Sequence, residues 1–329
     1  KYSKELIEHK SKLPANHKAY VGKTTKNQYL RIIEFFELYQ SDKNIELYFE
    51  EFTEDTYWKI INYINEYGVK TIGKKYSNNY MSAISRKIIT IFNNASQKQI
   101  QTNFNTKDKR ISEVKSKSEI YLEDEELQKI INDNPKVKND VIARNFIIFS
   151  TFTGMRINNV IQCKGIKVEE CTKGGLTFFG ITTPIISKTK GARIIIPILK
   201  PVKNILEAND MTFPGFPTEQ TIRLNIKAYL KKLEIDSLTT ITNRNFGNDN
   251  PTTKKVKKYE AFTPHDCRRT FITKMRQLGI RDNVIEKISH PKDSDLSKMM
   301  SRYDNSTILD NAFTFYKAVE EKKDYLFKF

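Results

Sequence analysis

The sequence predicts a mainly α-helical protein with two domains and a small antiparallel β-sheet in the second domain. Apolar residues recur at helical spacing over most of the first hundred residues, until a polar, charged stretch at 101–119 interrupts them. After Gly174 the residues change to short β-branched and aromatic runs typical of strands. A chain of 329 residues is also long enough for two domains of about 100–200 residues each. We therefore expect a helical domain over 1–112, a linker over 113–119 and a larger α+β domain over 120–329.

Three helices are predicted in the first domain. Two follow from apolar residues at near-helical spacing, which are Tyr29, Ile32, Ile33, Phe36 and Leu38 in one helix and Tyr57, Ile60, Ile61 and Ile64 in the next. The third helix, at 78–95, has one apolar stripe, formed by Met81, Ile84, Ile88 and Phe92. Arg86 and Lys87 project from its other faces. These two cations are equally compatible with contacts to nucleic-acid phosphates and with a solvated basic face.

The second domain is predicted to begin with helices. Acidic residues at 123–126 favour a helix N-terminus, because negative side chains are stabilised by the partial positive charge there. A later apolar helix ends at Gly154, and MRINNVIQC then resumes the helical pattern. Arg156 therefore lies at a junction between two helices, where rigid neighbours can direct its side chain.

A small antiparallel sheet is predicted next. LTFFGI, TPIIS and ARIIIPI have the composition of strands, and the turn-like KTKG places Lys188 and Lys190 at a hairpin tip. From Lys203 onward the pattern is again mainly helical. A polar loop is expected at 243–258.

The charge of the chain indicates a polyanionic partner. The formal net charge is +17 and the pI is about 9.5, which exceeds what solubility requires and favours nucleic acid. Lys far outnumbers Arg, as in proteins from AT-rich genomes. Such a bias explains the choice of Lys better than the sign of the total charge.

Composition also narrows the cellular setting. No apolar run approaches the roughly 18 residues of a membrane span, and the first residues lack the apolar core of a signal peptide. Cys163, Cys171 and Cys267 form no zinc-binding pattern and are expected to be reduced thiols. We therefore expect a soluble, intracellular protein without a membrane partner. Because the chain does not begin with Met, we expect it to be a fragment or a processed product.

One short segment near the end concentrates charge. FTPHDCRRTF, at 262–271, contains His265, Cys267, Arg268 and Arg269. Residues three apart on a helix share a face, so His265 and Arg268 should point the same way, whereas Arg269 lies about 100° further round. Arg269 is predicted to be structural or to contact a DNA backbone. Cys267 is predicted to be a small buried residue.

Together with Arg156, Lys188, His290 and Tyr303, His265 and Arg268 form a set suited to a phosphodiester. Two guanidiniums can bind non-bridging oxygens and neutralise a pentacoordinate transition state. Imidazoles can donate hydrogen bonds or transfer protons, a phenol can attack phosphorus, and an ammonium can protonate a departing oxygen. Each residue alone also has a structural interpretation, such as an ion pair for a helix-start Arg or solubility for a hairpin Lys. The combination is what indicates chemistry.

Five segments in a fixed order support this interpretation. They are TFTGMRINNVIQC, ISKTKGARIIIPI, TPHDCRRTF, ISH and SRY, at residues 151–163, 186–198, 263–271, 288–290 and 301–303. In that order they resemble the signature of the tyrosine recombinases, the family of phage and transposon integrases. The resemblance covers about residues 120–320, and the N-terminal helical part is similar in pattern to the core-binding domain of that family.

The resemblance implies how the phosphate would be bound. Arg156 and Arg268 would be the arginines that clamp the scissile phosphate. His265 would donate hydrogen bonds and transfer protons, and His290 would be a second hydrogen-bond donor.

The resemblance also implies how the strand would be cut. Tyr303 would be the nucleophile, whereas Tyr316 lies in an apolar run and Tyr325 in the terminal YLFKF. Lys188 would be the general acid toward the leaving 5′ oxygen. Lys190, two residues further on, could face the same site.

The implied mechanism and partners are those of the family. Attack by the tyrosine would give a 3′-phosphotyrosyl bond, which a 5′-hydroxyl of the partner strand reverses through a Holliday junction, without metal or cofactor. The two domains would form a C-shaped clamp on double-stranded DNA, in a homo-tetramer on two DNA sites. Accessory DNA-bending or directionality proteins and a prokaryotic cytoplasm, at the nucleoid, complete the implied setting. The tail after the tyrosine would dock on a neighbouring subunit or pack within its own chain.

The chain departs from the family pattern at three positions. Asn159 stands where an acidic residue is usual, Ser289 replaces a Gly, and Tyr303 follows His290 by thirteen positions, a few more than usual. Two other functions remain open at this point. One is a type IB topoisomerase, which shares the tyrosine chemistry, and the other is a non-catalytic basic DNA-binding protein.

Overall fold

The chain divides into two compact units. The computed structural model describes residues 2–15, 17–114, 120–184, 193–248, 250–289 and 306–329. Unit 1 comprises Lys1–Lys117 and Thr242–Lys254, and unit 2 comprises Ser118–Ile241 and Lys255–Phe329. The predicted class, mainly α with small antiparallel sheets, is confirmed. In the described ranges, no helix is both long and apolar enough to cross a membrane.

Unit 1 is helical. It contains α1 (Tyr2–Lys12), α2 (Lys23–Lys43), α3 (Glu54–Ile72) and α4 (Asn78–Gln97). The last three are the predicted helices. The Thr53 and Ser77 hydroxyls cap α3 and α4 by accepting hydrogen bonds from main-chain N–H groups in the first turn, and Gly73 ends α3 with a φ of +70°. Helix α1 was not predicted, because only Leu6 and Ile7 of it are buried and two residues give no periodicity.

Part of the polar stretch at 101–119 is bound to unit 1. The buried hydroxyl of Ser82 donates to the carbonyl of Ile111 (2.6 Å), whose N–H donates to Ser85 Oγ (3.1 Å). Asn79 makes two hydrogen bonds to the main chain of Val114 (2.8 and 3.0 Å). The segment up to Val114 therefore lies along α4, and its polar composition reflects bonding to that helix.

Residues 242–254 also belong to unit 1, although they lie far along the chain. The N–H of Phe246 donates to the carbonyl of Tyr76, and the N–H of Asn78 donates to that of Arg244, both at 2.9 Å. The Phe246 ring packs against the core of unit 1. This core is therefore built from two separate parts of the sequence.

Unit 2 is built around a buried helix. Its helices are α5 (Asp124–Asn132), α6 (Lys138–Thr153), α7 (Ile157–Gln162), α8 (Lys200–Glu207), α9 (Glu219–Lys232), α10 (Lys258–Ala261), α11 (Pro264–Gln277), α12 (Asp282–Ser289) and α13 (Ile308–Glu320). In α6 every residue from Phe146 to Thr153 is buried, because α8, α9 and α11 pack around it. This second half of α6, FIIFSTFT, carries no charge, so it can be buried on every side.

A three-stranded antiparallel sheet follows α7. It consists of β1 (Glu169–Lys173), β2 (Leu176–Pro184) and β3 (Arg193–Pro197), in the order β1–β2–β3. Gly174 and Gly175 form the β1–β2 turn with φ of +57° and +76°, which glycine adopts readily. LTFFGI and TPIIS were predicted as separate runs. In the described residues, LTFFGI and the first two residues of TPIIS belong to one strand, β2. Strand β1 was not predicted, because its EECTK sequence is mostly polar.

The predicted polar loop at 243–258 is wrong in part. Strands β4 (Leu238–Asn243) and β5 (Thr252–Lys257) form a two-stranded sheet there. Both are rich in β-branched Thr, which favours strands. In β5 only Val256 is buried, so the alternation of apolar residues that signals a strand is missing.

The C-terminal tail packs within unit 2. Helix α13 lies against β3, and the ring of Tyr316 stacks on Phe178 with centroids 5.1 Å apart. Phe327 is 2% exposed and lies against Phe152, and the carbonyl of Lys328 accepts from the N–H of Lys200 (2.7 Å). In this structure the tail packs within its own chain, and its docking on a neighbouring subunit stays a prediction.

Candidate active site

The junction between α6 and α7 brings Arg156 into the site region. Gly154 ends α6 with a φ of +65°, in the left-handed region that favours glycine. A Cβ at this position would lie 2.6 Å from Cδ1 of Phe271 on α11. Arg156 follows as the N-cap residue of α7, with its carbonyl accepting from the N–H groups of Asn159 (2.9 Å) and Val160 (3.1 Å). The sharp turn at Gly154 thus fixes the main-chain position from which the Arg156 side chain extends.

Two features stabilise the first turn of α11. Pro264 occupies its first turn, where no N–H is needed. The buried carboxylate of Asp266 accepts hydrogen bonds from the N–H (2.8 Å) and the hydroxyl (2.7 Å) of Thr263. A Thr followed three residues later by an acidic residue is a capping-box arrangement. The cap fixes the first turn of α11, which carries His265 and leads to Arg268.

The guanidinium of Arg268, on α11, contacts the C-terminal ends of α6 and α12. It is 3% exposed, donates from Nη1 to the carbonyl of Gly154 (2.6 Å) and donates from Nη2 to the carbonyl of Ser289, the last residue of α12. Ser289 is itself buried, and its hydroxyl donates back to Ile285 (2.7 Å). Arg268 is therefore positioned by main-chain carbonyls, and its charge is fixed where α6, α11 and α12 meet.

His265 is exposed at the N-terminal end of α11, in the same region as Arg156, Arg268 and Arg269. Its pKa is lowered, first by partial desolvation of the ring and then by the positive charges of Arg269, Arg268 and Arg156, while Asp266 opposes the shift. Because the ordinary pKa of His is about 6.5, the imidazole is uncharged at pH 7. A neutral imidazole can donate one hydrogen bond and accept another. The structure thus brings three of the predicted site residues, Arg156, His265 and Arg268, into one electrostatic environment.

Arg269, the neighbour of Arg268, has different partners. It forms an ion pair with the carboxylate of Asp266 and donates to the carbonyl of Ile120 (3.3 Å). These contacts are structural. Its predicted contact with a DNA backbone stays a prediction.

Four predicted site residues lie outside the described residues, namely Lys188, Lys190, His290 and Tyr303. In the sequence, the first two stand between β2 and β3, whose pairing includes Pro184 and Arg193. Roles for all four stay predictions.

The cysteines are unsuited to nucleophilic chemistry. The thiols of Cys163 and Cys267 are buried, and burial raises the pKa of Cys163 to about 12. Burial and the nearby Asp266 raise the pKa of Cys267 further above the ordinary range. Burial also raises the pKa of the half-buried Cys171. All three side chains are therefore protonated at neutral pH, and Cys267 is the small buried residue that the sequence predicts.

The two cations predicted to bind DNA from α4 are partly engaged. Arg86 forms an ion pair with Glu113, and both side chains are more than 40% exposed. The ammonium of Lys87 lies 6.0 Å from the centroid of Tyr29, and burial together with the charge of Arg86 lowers the pKa of Lys87. Neither arrangement decides between a phosphate contact and a solvated face.

Sequence reasoning missed three groups that build the site. The capping role of Asp266 could have been found from the Thr–x–x–Asp pattern. The carbonyls of Gly154 and Ser289 could not, because a main-chain acceptor has no residue-specific signature.

Comparison with solved structures gives the fold. The Tn1549 transposon integrase, in complex with circular intermediate DNA, matches at 14% sequence identity and a TM-score of 0.51, covering 95% of this chain and 98% of that chain. A lambda integrase dimer bound to a COC′ core site matches at 16% identity and a TM-score of 0.56, covering 91% and 94%. XerH site-specific recombinase bound to palindromic difH substrate matches at 15% identity and a TM-score of 0.53, covering 90% and 81%. The chain has the tyrosine recombinase fold.

Within the tyrosine recombinase fold the sequence of this chain is divergent. No protein-family model matches it, and neither does any curated protein sequence. At identities of 14–16%, the likeness to the three structures is one of fold. The function must therefore be argued from the site.

Proposed function

We propose that this protein is a site-specific DNA recombinase of the integrase type. The observation that carries the proposal is the common environment of Arg156, His265 and Arg268, which come from two separate segments, in a chain with the tyrosine recombinase fold. Two guanidiniums and a neutral imidazole near one another suit a phosphodiester anion better than any other common substrate group. The +17 charge of the chain suits a DNA partner.

The proposed cleavage step assigns one task to each residue. The phenol oxygen of Tyr303 attacks the scissile phosphorus, a new P–O bond forms, and the bond to the 5′ oxygen breaks. Lys188 gives a proton to the leaving 5′ oxygen. Arg156 and Arg268 neutralise the charge that develops on the non-bridging oxygens, which is the largest electrostatic demand of such a reaction.

Two imidazoles assist in the proposed site. Because the pKa of His265 is lowered, its ring can accept the tyrosine proton and become an imidazolium, or donate a hydrogen bond to the phosphate while it is uncharged. His290 is a second donor. The product is a 3′-phosphotyrosyl bond, which keeps the energy of the phosphodiester and lets a 5′-hydroxyl from a second DNA site reverse the step through a Holliday junction.

The proposal extends to the assembly. Exchange of strands between two DNA sites needs four active sites, so a homo-tetramer on two sites is the proposed working form. Accessory DNA-bending or directionality proteins are further proposed partners. The place of action is the cytoplasm, at the nucleoid.

Trapping of the covalent intermediate tests the proposal. Nicked suicide duplexes made from the DNA that flanks the coding region are incubated with the protein and resolved on a denaturing gel. Wild type should form a protein–DNA adduct and Tyr303→Phe should form none. Tyr325→Phe is the matched control, because Tyr325 is 58% exposed at the far end of the chain and should leave adduct formation intact. An adduct that persists in Tyr303→Phe contradicts the assignment.

Two further outcomes separate the alternatives. A type IB topoisomerase would relax supercoiled DNA as a monomer and yield no Holliday junction from two sites. A non-catalytic DNA-binding protein would bind the duplex equally well with and without Tyr303, and would form no adduct in either case.

A further inference from the structure

Helix α11 makes a series of contacts with residues 120–124, the first described residues of unit 2. The carbonyl of Ile120 accepts from Arg269 (3.3 Å), the N–H of Leu122 donates to Thr270 Oγ1 (3.0 Å), and Asp124 pairs with Lys274 (2.7 Å). We call this series of contacts the seam. It ties α11, the helix that carries His265 and Arg268, to a fixed stretch of main chain.

Arg269 occupies the end of the seam nearest the candidate site. It lies four residues after His265, which is about 40° round the helix and one turn along it. Its guanidinium contacts both Asp266 and the carbonyl of Ile120. Asp266 is 3% exposed and holds Thr263 through its other oxygen, so Arg269 is fixed from two sides.

We propose that Arg269 is a positioning residue for His265: held by the carbonyl of Ile120, it holds Asp266, which caps the first turn of α11, the turn that carries His265. It differs in this from Arg268, which lies deeper and contacts the ends of α6 and α12. The role of Arg269 in cleavage rests on the proposed function. Its effect on the imidazole does not.

Four charged groups face His265, and the contribution of Arg269 to its pKa can be measured. They are Arg269, Asp266 and Arg268 on α11 and Arg156 at the start of α7, and among them Arg269 has the strongest influence on the histidine. Removal of a positive charge makes protonation of a neighbouring imidazole easier. Loss of the Arg269 charge should therefore raise the pH at which His265 titrates.

The first experiment follows His265 by NMR in the full chain, with ¹³C-labelled histidine and His265→Gln to assign the signal. In Arg269→Gln the titration midpoint of His265 should shift upward. Arg276→Gln is the matched control, because Arg276 lies on the same helix, is 61% exposed and pairs with Asp282 away from the site. It should leave the midpoint unchanged. Arg269→Lys keeps the charge and should give a midpoint close to that of wild type.

The second experiment measures cleavage of the suicide duplex at saturating DNA. Arg269→Gln should lower the rate of adduct formation by about 10- to 100-fold, because a small misplacement of a reacting group costs that much. DNA affinity should stay within about twofold of wild type. Arg269→Lys should be intermediate, since one ammonium replaces the charge but cannot span both Asp266 and Ile120 as the guanidinium does.

The two experiments fail in different ways. If wild type forms no adduct, the proposed function is wrong and the NMR titration alone decides the role of Arg269. If the midpoint of His265 is the same in Arg269→Gln and wild type, or if Arg269→Gln and Arg276→Gln lose activity equally, the positioning role is overturned. Should Arg269→Gln fail to fold, Arg269→Lys decides: a full wild-type rate contradicts the need for two-sided contact.

Discussion

Gly154 combines three requirements at one residue. It ends α6 in the left-handed region, it lets the Phe271 ring lie against its Cα, and its carbonyl holds Arg268. Any other residue must keep a φ of +65° and also displace the ring. The site therefore depends on a residue without a side chain.

Gly154→Ala should be strongly destabilising. The positive φ and the clash with Phe271 together should lower the free energy of unfolding by about 3 kcal/mol or more, measured by urea denaturation. Gly165→Ala is the control, because Gly165 has a φ of +78° but no atom within 4 Å of an added Cβ. It should cost about 1 kcal/mol from φ alone. Equal costs for the two variants would show that Phe271 moves aside freely.

At the residue scale, the side chains of the candidate site were easier to predict from the sequence than the main-chain groups that hold them in place. The i, i+3 spacing predicted that His265 and Arg268 share a face; in the structure His265 is exposed and Arg268 is buried, and the charge of Arg268 helps to lower the pKa of His265. The acceptors of Arg268 are carbonyls of Gly154 and Ser289, which could not be predicted because every residue has a carbonyl. Only the tertiary fold brings those two helix ends together.

Among the elements, α5 is joined to α10 and α11 by two ion pairs of different depth. Lys258 pairs with Glu126 (2.8 Å), where both side chains are at most 15% exposed. Lys274 pairs with Asp124 (2.7 Å), whose side chain is 43% exposed. Loss of Lys258 therefore leaves the buried carboxylate of Glu126 without its partner. Loss of Lys274 leaves the carboxylate of Asp124 in contact with water.

Lys258→Met should accordingly cost more than Lys274→Met. A buried carboxylate without its partner costs about 3–5 kcal/mol, whereas the exposed Asp124 can return to water at a cost of about 1 kcal/mol. Urea denaturation of the two variants measures the difference. The double variant Lys258→Met with Glu126→Gln should recover part of the loss, and no recovery would contradict this explanation.

The sequence alone did not decide whether the C-terminal tail packs within its own chain or on a neighbouring subunit. Phe327→Ala should destabilise unit 2 by about 3–5 kcal/mol, because the ring is buried against Phe152 within the same chain. The loss should not depend on protein concentration. Tyr325→Ala, at an exposed neighbour, should be nearly neutral. A wild-type stability that falls on dilution, so that the loss shrinks, would instead indicate that the tail docks on a second subunit.

Elements were predictable where apolar periodicity was strong. Helices α2, α3 and α4 each bury a stripe of four or more residues, and all three were predicted. Strands β1, β4 and β5 were missed because most of their side chains are solvent-exposed. The strand geometry of β1 follows from its pairing with β2, and that of β4 and β5 from their pairing with each other, which a local pattern does not encode.

For the whole molecule, charge should govern DNA affinity. Each phosphate neutralised contributes about −0.9 to the slope of log affinity against log salt concentration. If Arg86 contacts a phosphate, Arg86→Gln should reduce that slope by about one such unit, measured by fluorescence anisotropy with duplex DNA. Arg223→Gln is a matched control, because Arg223 has a similar exposure and a similar ion pair, with Glu219. Equal slopes for the two variants would favour a merely solvated α4 face.

The two-part sequence of unit 1 has a consequence for synthesis on the ribosome. Phe246 and its neighbours pack into unit 1, yet they are made only after most of unit 2 has been translated. At about 5–20 residues per second, the N-terminal helices wait on the order of ten seconds for these residues. During that time the emerging chain exposes the surface that Phe246 later covers. A nascent-chain protease assay should find unit 1 cleavable until residue 254 has left the exit tunnel and resistant afterwards.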